Sequence, residues 1–242
     1  MVEVMRGGEE MAKLMALIAY DDSQTLRFIR ANLRASGYRV VAARTDKEVL
    51  VQFEKTKPDL VILDFKLPEL DGLEICRQLR EKSDIPIIIT AERNLRHVVE
   101  CFNAGADDYI TKPFAVDELL VRVNALMRRV KNKFNYSLPE EVKLGDLIIN
   151  FAQRRVIIGA ETIHLTPTEF KLLTYLASHV NCVVPHDQIL ESIWGDDFRD
   201  CIHYLRVSIG RLRKKIEKDP GNPEYIVTCS GVGYMLRNLC GG

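Results

Sequence analysis

Five short apolar runs alternate with amphipathic stretches over the first 130 residues, and this alternation constrains the fold more than any other feature of the chain. The apolar runs predict strands at 14–20, 40–42, 60–63, 85–89 and 109–110, and the amphipathic stretches predict helices at 23–35, 46–56, 71–82, 93–104 and 116–130. Continuous apolar strands that alternate with helices are typical of a parallel sheet covered on both faces. We therefore predict an α/β domain with a doubly wound, five-stranded parallel sheet.

A different pattern follows a polar stretch at 131–140, which contains a proline and is predicted to be a linker. Short β-like segments at 142–144, 147–150, 155–158 and 162–165 precede a helical zone at 167–218 and a terminal hairpin at 225–229 and 233–236. Thr166, Pro167 and Glu169 form a capping-box sequence that marks the first helix start. Strands, a helix pair and a terminal hairpin predict a winged helix-turn-helix domain over 141–240.

The composition places this chain among ordinary globular proteins of the cytoplasm. Apolar residues make up 47% and charged residues 28% of the 242 residues. No run approaches the ~18 apolar residues of a membrane span, and no signal peptide is evident at the N-terminus. The six cysteines contain no C-x-x-C pair, which indicates reduced thiols in place of a zinc site.

The first 13 residues form an extension ahead of the predicted 14–130 domain. The sequence from Met11 already resembles a complete domain start, and Arg6 to Glu10 (RGGEE) is what a purine-rich ribosome-binding sequence would encode if translated. Two interpretations stay open: translation begins at Met11, or residues 1–10 are a native, unstructured tail.

Polar side chains that can carry phosphoryl chemistry follow successive strands of the predicted sheet. Asp21 and Asp22 come after the first strand, Asp64 after the third, Thr90 after the fourth and Lys112 after the fifth. Ligands of such folds bind outside the carboxyl ends of the strands. Clustered carboxylates repel one another unless a cation is present, and Mg²⁺ prefers carboxylate, water and phosphate oxygens. We therefore predict a Mg²⁺ site at which an aspartate accepts a phosphoryl group.

The first half resembles the receiver domains of response regulators, which have a flavodoxin-like fold. The resemblance is carried by YDDS (20–23), LVILDFKLPELDGLE (60–74), PIIITAE (86–92) and DDYITKPF (107–114). It implies that Asp64 accepts a phosphoryl group from a sensor histidine kinase, and that Mg²⁺ is held by Asp21, Asp22, Asp64 and the backbone carbonyl of Lys66. It also implies that Thr90 and Lys112 contact the phosphoryl group, and that Tyr109 is a switch whose ring turns inward on activation.

The helix predicted after residue 199 carries the local basic charge of an otherwise neutral chain. Residues 199–218 contain seven basic and two acidic residues, a net charge of +5. Leu205, Ile209, Leu212 and Ile216 form one apolar stripe. The opposite face carries His203, Val207, Gly210, Arg211 and Lys214, flanked by Arg206 and Arg213. An amphipathic helix with this outer face suits the major groove of double-stranded DNA, although a merely solvated face is the alternative.

The second half resembles the effector domains of OmpR/PhoB-type response regulators. The stretches that carry this are LGDLIIN (144–150), LTPTEFKLLTYL (165–176), HYLRVSIGRLRKKIE (203–217) and GVGYMLR (231–237), with HYLRVSIG and EKDPGNPEYIVT most similar to Kdp-type regulators of potassium uptake. The resemblance implies that Arg206 and Arg211 read bases and that Arg213 and Lys214 contact phosphates, and His203 on the same face is a further predicted DNA-binding residue. Ser230 replaces the usual basic residue before the wing, so a wing contact to DNA stays open.

The same family resemblance implies a dimer face on the fourth helix, fifth strand and fifth helix of the receiver. The charged residues that fit this pattern are Asp107, Asp108, Glu118, Arg122 and Arg129. We expect a homodimer on activation, with promoter DNA and RNA polymerase as further partners. Lys66 and Glu92, which flank the pocket with opposite charges, suggest an ion pair above Asp64 that slows hydrolysis of its phosphoryl group; two independent solvated side chains are the alternative.

These patterns together predict a transcriptional regulator of a two-component system that binds DNA when phosphorylated, and not an enzyme. Two alternatives stay open. The first is a regulator that binds DNA regardless of phosphorylation. The second is a Mg²⁺-dependent phosphatase of small molecules, which is disfavoured because the position of its second carboxylate is occupied by Lys66.

Overall fold

The computed structural model describes residues 14–68, 71–92, 94–131, 139–195, 198–199 and 201–239, with the backbone alone at Leu95 and at 128–131. The predicted extension at 1–13, most of the linker at 131–140 and the side chain of Arg129 therefore lie outside the described residues. No helix within the described ranges is long and apolar enough to cross a membrane.

The first half forms the predicted five-stranded parallel sheet. Its strands are β1 Met15–Ala19, β2 Arg39–Ala43, β3 Leu60–Asp64, β4 Ile87–Glu92 and β5 Asp108–Lys112, and its helices are α1 Ser23–Ala35, α2 Asp46–Thr56, α3 Gly72–Lys82, α4 Leu95–Ala104 and α5 Val116–Lys131. The strand order is β2-β1-β3-β4-β5. This order confirms the prediction that the first and third strands are neighbours.

Helices cover both faces of this sheet because alternate strand residues point to opposite sides. Ala16 and Ile18 of β1 pack with α1 and α5, whereas Leu17 and Ala19 pack with α2, α3 and α4. All four side chains are fully buried. Burial on both faces explains why these strands are continuously apolar, and it leaves the carboxyl ends of the strands as the place for polar chemistry.

The second half combines two small antiparallel sheets with three helices. One sheet contains β6 Glu141–Leu144, β7 Leu147–Asn150, β8 Arg155–Ile158 and β9 Glu161–Ile163; the other, in the order β10-β12-β11, contains β10 Val184–Pro185, β11 Ile226–Cys229 and β12 Gly233–Leu236. The helices are α6 Pro167–Ala177, α7 His186–Trp194 and α8 Ile202–Ile216. The β11–β12 hairpin is the wing that the sequence predicts. The two-residue strand β10 was not predicted.

Local signals place the helices of the second half. Thr166 accepts a hydrogen bond from the backbone of Glu169, and the Glu169 side chain accepts one from the backbone of Thr166, which confirms the capping box. In α8, Leu205, Ile209 and Leu212 are buried together with Ile216, as their spacing predicts. α8 is shorter at both ends than the predicted helix, beginning after Cys201 and ending before Glu217.

The two halves pack against each other through helices. α8 lies on α4, and α6 lies on α5. Tyr204 and Val207 of α8 pack against the apolar cluster beneath α3 and α4. The basic helix is therefore partly covered by the first half.

Candidate functional site

The carboxyl edge of the parallel sheet brings three of the predicted residues together. Asp64 ends β3 and is in register with Thr90 of β4, and Lys112 ends β5. The Lys112 Nζ donates to Oδ2 of Asp64 over 2.6 Å. Asp64 is buried, with 6% of its surface exposed. The carboxyl edge of the sheet thus presents a buried Asp64 carboxylate that is paired with the Lys112 ammonium.

Tight backbone packing fixes the position of Asp64. Its Oδ1 accepts a hydrogen bond from the backbone N–H of Lys66 over 3.1 Å. Gly72, the first residue of α3, lies against the Asp64 carbonyl so closely that a Cβ there would be 2.2 Å from the carbonyl oxygen. Only glycine allows this approach, because no Cβ contact is tolerated at that distance.

Asp21 and Asp22 both follow β1, but the structure gives them different surroundings. Asp22 caps α1 and accepts from the backbone N–H of Thr25 over 2.7 Å. Hydrogen bonds from the Thr25 side chain and backbone hold the pKa of Asp22 below its ordinary value. Asp21 is exposed. Asp22 is thus engaged as the N-cap of α1.

The donor set suits Mg²⁺ without forming a complete cage. Among the described residues, no three His, Cys, Asp or Glu side chains are grouped to hold a metal ion. Mg²⁺ is usually bound through one or two carboxylates and keeps several waters. Asp21, two residues beyond β1, and Asp64, at the end of the neighbouring strand β3, offer two carboxylates. Lys66 offers a carbonyl, so the types of oxygen ligand present fit a hydrated Mg²⁺.

A tyrosine that the sequence reasoning missed lies beneath this site. Tyr20, the residue before the acidic pair, is fully buried, and its hydroxyl lies 2.7 Å from Oγ1 of Thr90. Its ring lies beneath Lys112, with Nζ 5.3 Å from the ring centroid. Burial raises the pKa of Tyr20, so the phenol is neutral. The sequence signal that identifies Tyr20 is a tyrosine directly after an apolar strand.

Tyr109 is already buried, with its hydroxyl donating to the Glu92 carbonyl over 2.8 Å. Burial raises the pKa of Tyr109 to about 12. Among the described ion pairs, none joins Lys66 to Glu92, and both side chains are exposed. The Lys66–Glu92 ion pair that their charges suggest is therefore not formed in this structure.

α8 has three faces with different neighbours. Its apolar stripe enters the core of the second half. A second stripe of Tyr204, Val207 and Arg211, spaced i, i+3 and i+7, faces the first half. His203, Arg206 and Lys214 are exposed, and Gly210 has open space around it. The exposed basic stripe is thus narrower than the sequence predicts.

Two of the predicted DNA-contacting arginines make internal contacts. Arg211, with 15% of its side chain exposed, pairs with Glu169 over 3.0 Å and donates to the Ala106 carbonyl of the first half over 3.2 Å. Arg213 donates to the Ile226 carbonyl and to Thr228, and so holds β11 against α8. These contacts explain why neither arginine is fully exposed: Arg211 neutralises the buried Glu169 carboxylate, and Arg213 donates to uncharged acceptors of β11.

Aromatic residues complete the contact between the halves. The Tyr204 ring packs edge-on against Phe102 of α4, with centroids 4.5 Å apart, and against Phe198, with centroids 5.3 Å apart. The Arg122 guanidinium of α5 lies over the Phe198 ring, 4.6 Å from its centroid. Trp194 and Phe198 line a cavity together with Arg122.

The predicted dimer-face residues are divided between the interior and this contact. Asp107 is 1% exposed and pairs with Arg80, which differs from the expectation of an exposed charge because it binds the arginine that closes the α3–β4 connection. Arg122 pairs with Asp108 over 3.4 Å and with Glu118 over 3.0 Å. The second half therefore covers part of the predicted dimer face.

Comparisons with known proteins match both halves of the chain. The model of the response regulator receiver domain matches residues 16–124, and that of the transcriptional regulatory protein C-terminal domain matches 160–236. The KDP operon transcriptional regulatory protein KdpE of Escherichia coli is 38% identical over 91% of this chain and 97% of its own length. The response regulator MprA of Mycobacterium avium is 41% identical over 92% and 98%, respectively.

A solved structure extends the similarity to the whole fold. The response regulator DrrB of Thermotoga maritima, described as an OmpR/PhoB homologue, is 32% identical, covers 93% of this chain and 99% of its own, and superposes with a TM-score of 0.51. The combination of a five-stranded parallel sheet with a winged helix is therefore shared with solved response regulators.

Proposed function

This chain belongs to the OmpR/PhoB-type response regulators, which are phosphorylation-dependent transcriptional regulators of two-component systems, and from that premise we propose that Asp64 is its phospho-acceptor. The observation that carries the proposal is the buried Asp64 carboxylate with Lys112 at 2.6 Å. A carboxylate oxygen of Asp64 attacks the phosphorus of a phosphohistidine on a sensor histidine kinase. The P–N bond breaks as the O–P bond forms.

Several pocket residues stabilise the negative charge of the transferred phosphoryl group. Asp21, Asp22, Asp64 and the backbone carbonyl of Lys66 would hold Mg²⁺, which when bound would neutralise negative charge on the phosphoryl group and on these carboxylates. Lys112 moves from the carboxylate to a phosphoryl oxygen, and Thr90 donates its hydroxyl proton to another. Tyr109 is the switch residue whose ring responds to phosphorylation of Asp64.

Isotope labelling tests the acceptor. Incubation with acetyl phosphate and Mg²⁺ adds one phosphoryl group to the wild-type protein and none to Asp64→Asn. Asp117→Asn, the same change at an exposed carboxylate of α5, is the matched control and labels normally. Equal labelling of Asp64→Asn and the wild type contradicts the assignment. Chelation of Mg²⁺ stops labelling of the wild type.

The domain that binds DNA spans 141–240, after a receiver at 14–130 and a linker at 131–140. Its four-stranded sheet β6–β9 lies mostly ahead of the matched 160–236 region and belongs to the same unit. α8 enters the major groove, with Arg206 and Arg211 at the bases, Lys214 at a phosphate and His203 on the same DNA-facing side. Arg213 reaches a phosphate from its place beside the wing.

Phosphorylation controls DNA binding through the contact between the halves. The receiver covers the Tyr204 stripe of α8, so duplex DNA and the receiver compete for neighbouring faces of one helix. The same contact covers Arg122, which with Asp108, Glu118 and Arg129 forms the homodimer face. Release of the receiver therefore frees both surfaces. The dimer acts on promoter DNA in the cytoplasm, together with RNA polymerase.

A further inference from the structure

Tyr20 contacts both side chains that the proposed function assigns to the phosphoryl group. It directly follows β1, whose five residues (MALIA) are all apolar, and its side chain is fully buried. Its hydroxyl lies 2.7 Å from Thr90 Oγ1 and its ring lies under Lys112. A residue that touches the two phosphoryl-contacting groups from the buried side can set where both of them point.

The hydrogen bonds around Thr90 identify Tyr20 as a donor. Thr90 Oγ1 donates to the Leu63 carbonyl over 3.4 Å, and a hydroxyl has one proton to donate. Tyr20 therefore donates to Thr90, which forms the chain Tyr20, Thr90, Leu63. The opposite arrangement would leave the buried phenol proton without an acceptor among the described residues, at a cost that buried donors rarely bear.

The two bonds of this chain differ in a way that suits phosphoryl binding. The bond to the Leu63 carbonyl is near the outer limit for a hydrogen bond, whereas the Tyr20 bond is at the usual O–H···O distance. Leu63 directly precedes Asp64. The Thr90 hydroxyl can thus turn its proton from the Leu63 carbonyl to a phosphoryl oxygen on Asp64 while Tyr20 continues to donate to Thr90. Because Thr90 accepts a hydrogen bond from Tyr20, the hydrogen bond that Thr90 donates becomes stronger.

The ring of Tyr20 acts on Lys112. A lysine ammonium within about 6 Å of an aromatic ring is attracted to its face, and here the distance is 5.3 Å. Lys112 Nζ also bonds Asp64. The Tyr20 ring thus holds the Lys112 ammonium beside the Asp64 carboxylate. The side of the ammonium that faces away from the ring is left for a phosphoryl oxygen.

We propose that Tyr20 is a positioning residue for phosphoryl transfer: its hydroxyl orients the Thr90 proton and its ring supports Lys112. The proposal rests on the assignment of Asp64 as the acceptor. Tyr20→Phe removes the hydroxyl and keeps the ring, and Tyr20→Leu removes both. Tyr38→Phe is the matched control, since Tyr38 is also buried in the receiver but packs at the start of β2, away from the pocket.

The first measurement is the rate of phosphorylation by acetyl phosphate in full-length protein with Mg²⁺. Tyr20→Phe is expected to lower the maximal rate by about three- to tenfold, the range of one hydrogen bond, with the half-saturating acetyl phosphate concentration unchanged. Tyr20→Leu is expected to be slower than Tyr20→Phe, because Lys112 loses its support. Tyr38→Phe is expected to match the wild type.

The second measurement is a double-mutant cycle with Thr90→Val. Because the hydroxyl of Tyr20 acts through Thr90, Tyr20→Phe is expected to have no further effect on the rate in the Thr90→Val background. The same cycle, measured by urea unfolding of the metal-free protein, is expected to be non-additive, which tests the hydrogen bond independently of phosphorylation.

Three results would overturn the proposal. They are a wild-type rate in Tyr20→Phe, the same fractional loss in both Thr90 backgrounds, or an equal loss in Tyr38→Phe. Equal rates in Tyr20→Leu and Tyr20→Phe would overturn the role of the ring. Asp64→Asn, measured alongside, separates these results from failure of the acceptor assignment, because labelling of that variant contradicts the assignment whatever Tyr20 does.

Discussion

Glu169 joins the start of α6 to α8 as a single buried carboxylate. It is 1% exposed and pairs with Arg211 over 3.0 Å and with Lys215 over 2.8 Å. Burial alone would raise its pKa, but Arg211 and Lys215 together hold the pKa below its ordinary value of 4.5. A depressed carboxylate pKa in the folded state stabilises the fold above the unfolded pKa, and this stability is lost as pH falls through the folded pKa.

We therefore expect the ion pairs of Glu169 to add acid sensitivity below pH 4.5. Urea unfolding is measured from about pH 6 to about pH 3 for the wild type and Glu169→Gln. Glu169→Gln is expected to be less stable than the wild type near pH 6, because Arg211 and Lys215 lose their charged partner. This difference in the free energy of unfolding, the stability gap, narrows as the pH falls. Glu161→Gln, at an exposed residue, is the control. A gap that stays constant with pH contradicts this account.

Gly72 provides a second test at the scale of one residue. A methyl group at this position would meet the Asp64 carbonyl oxygen at 2.2 Å. Gly72→Ala is expected to lower the free energy of unfolding by ~1–3 kcal/mol and to slow labelling of Asp64. Gly210→Ala, in a helix and in open space, is expected to raise it by up to ~1 kcal/mol. Equal effects of the two substitutions would contradict the packing argument.

Single residues were predictable from sequence where the fold alone places them. Asp64, Thr90 and Lys112 end parallel strands, so their meeting follows from the topology. Tyr20 was missed because it continues an apolar run and its partner is 70 residues away. The burial of Arg211 was missed because the Ala106 carbonyl belongs to the other half of the chain, and no periodicity within α8 contains that contact.

At the scale of elements, the strength of the periodicity decided what the sequence revealed. Long apolar patterns placed the five strands of the receiver within a few residues, and α6, α7 and α8 all fall within the predicted helical zone at 167–218. β10 has two residues, Val184 and Pro185, and is a strand only through its pairing with β12. Such an element has no period of its own, so sequence reasoning could not identify it.

The exposed face of α8 carries the prediction for DNA binding. Arg206→Ala is expected to cost ~1–3 kcal/mol and to relax base preference, as for an arginine that reads a base. Lys214→Ala is expected to weaken binding to all DNA sequences about equally. It is also expected to reduce the slope of log affinity against log salt concentration by ~1. Lys55→Ala, which removes the same charge from an exposed site of α2, is the control. Unchanged DNA affinity in both α8 variants would show that another element of the protein recognises DNA.

At the scale of the whole molecule, the interface between the two domains was not predictable from the pattern of either domain. It depends on side chains scattered over both halves, such as Phe102, Arg122 and Tyr204. Each of these residues has an ordinary role in its own half. The sequence therefore specified two folds, whereas their arrangement follows from contacts that only the structure reveals.

Weakening this contact is expected to activate the unphosphorylated protein. Asp84 of the receiver lies 3.9 Å from Lys215 and 3.7 Å from His164, so Asp84→Lys replaces attraction with repulsion. We expect DNA affinity to rise about two- to fivefold, the range for exposed pairs. Trp194, the single tryptophan, borders the contact and its emission should shift to the red. Glu81→Lys is the control, and wild-type affinity in Asp84→Lys contradicts the prediction.

The most direct test of the central claim compares the DNA affinity of one protein in two states. DNA fragments selected by the phosphorylated protein are titrated with the wild type and Asp64→Asn, before and after treatment with acetyl phosphate and Mg²⁺. We predict that treatment tightens wild-type binding by about tenfold or more, equal to ~1.4 kcal/mol, and leaves Asp64→Asn unchanged. Equal wild-type affinity before and after complete phosphorylation would contradict the account and identify a regulator that binds DNA without this control.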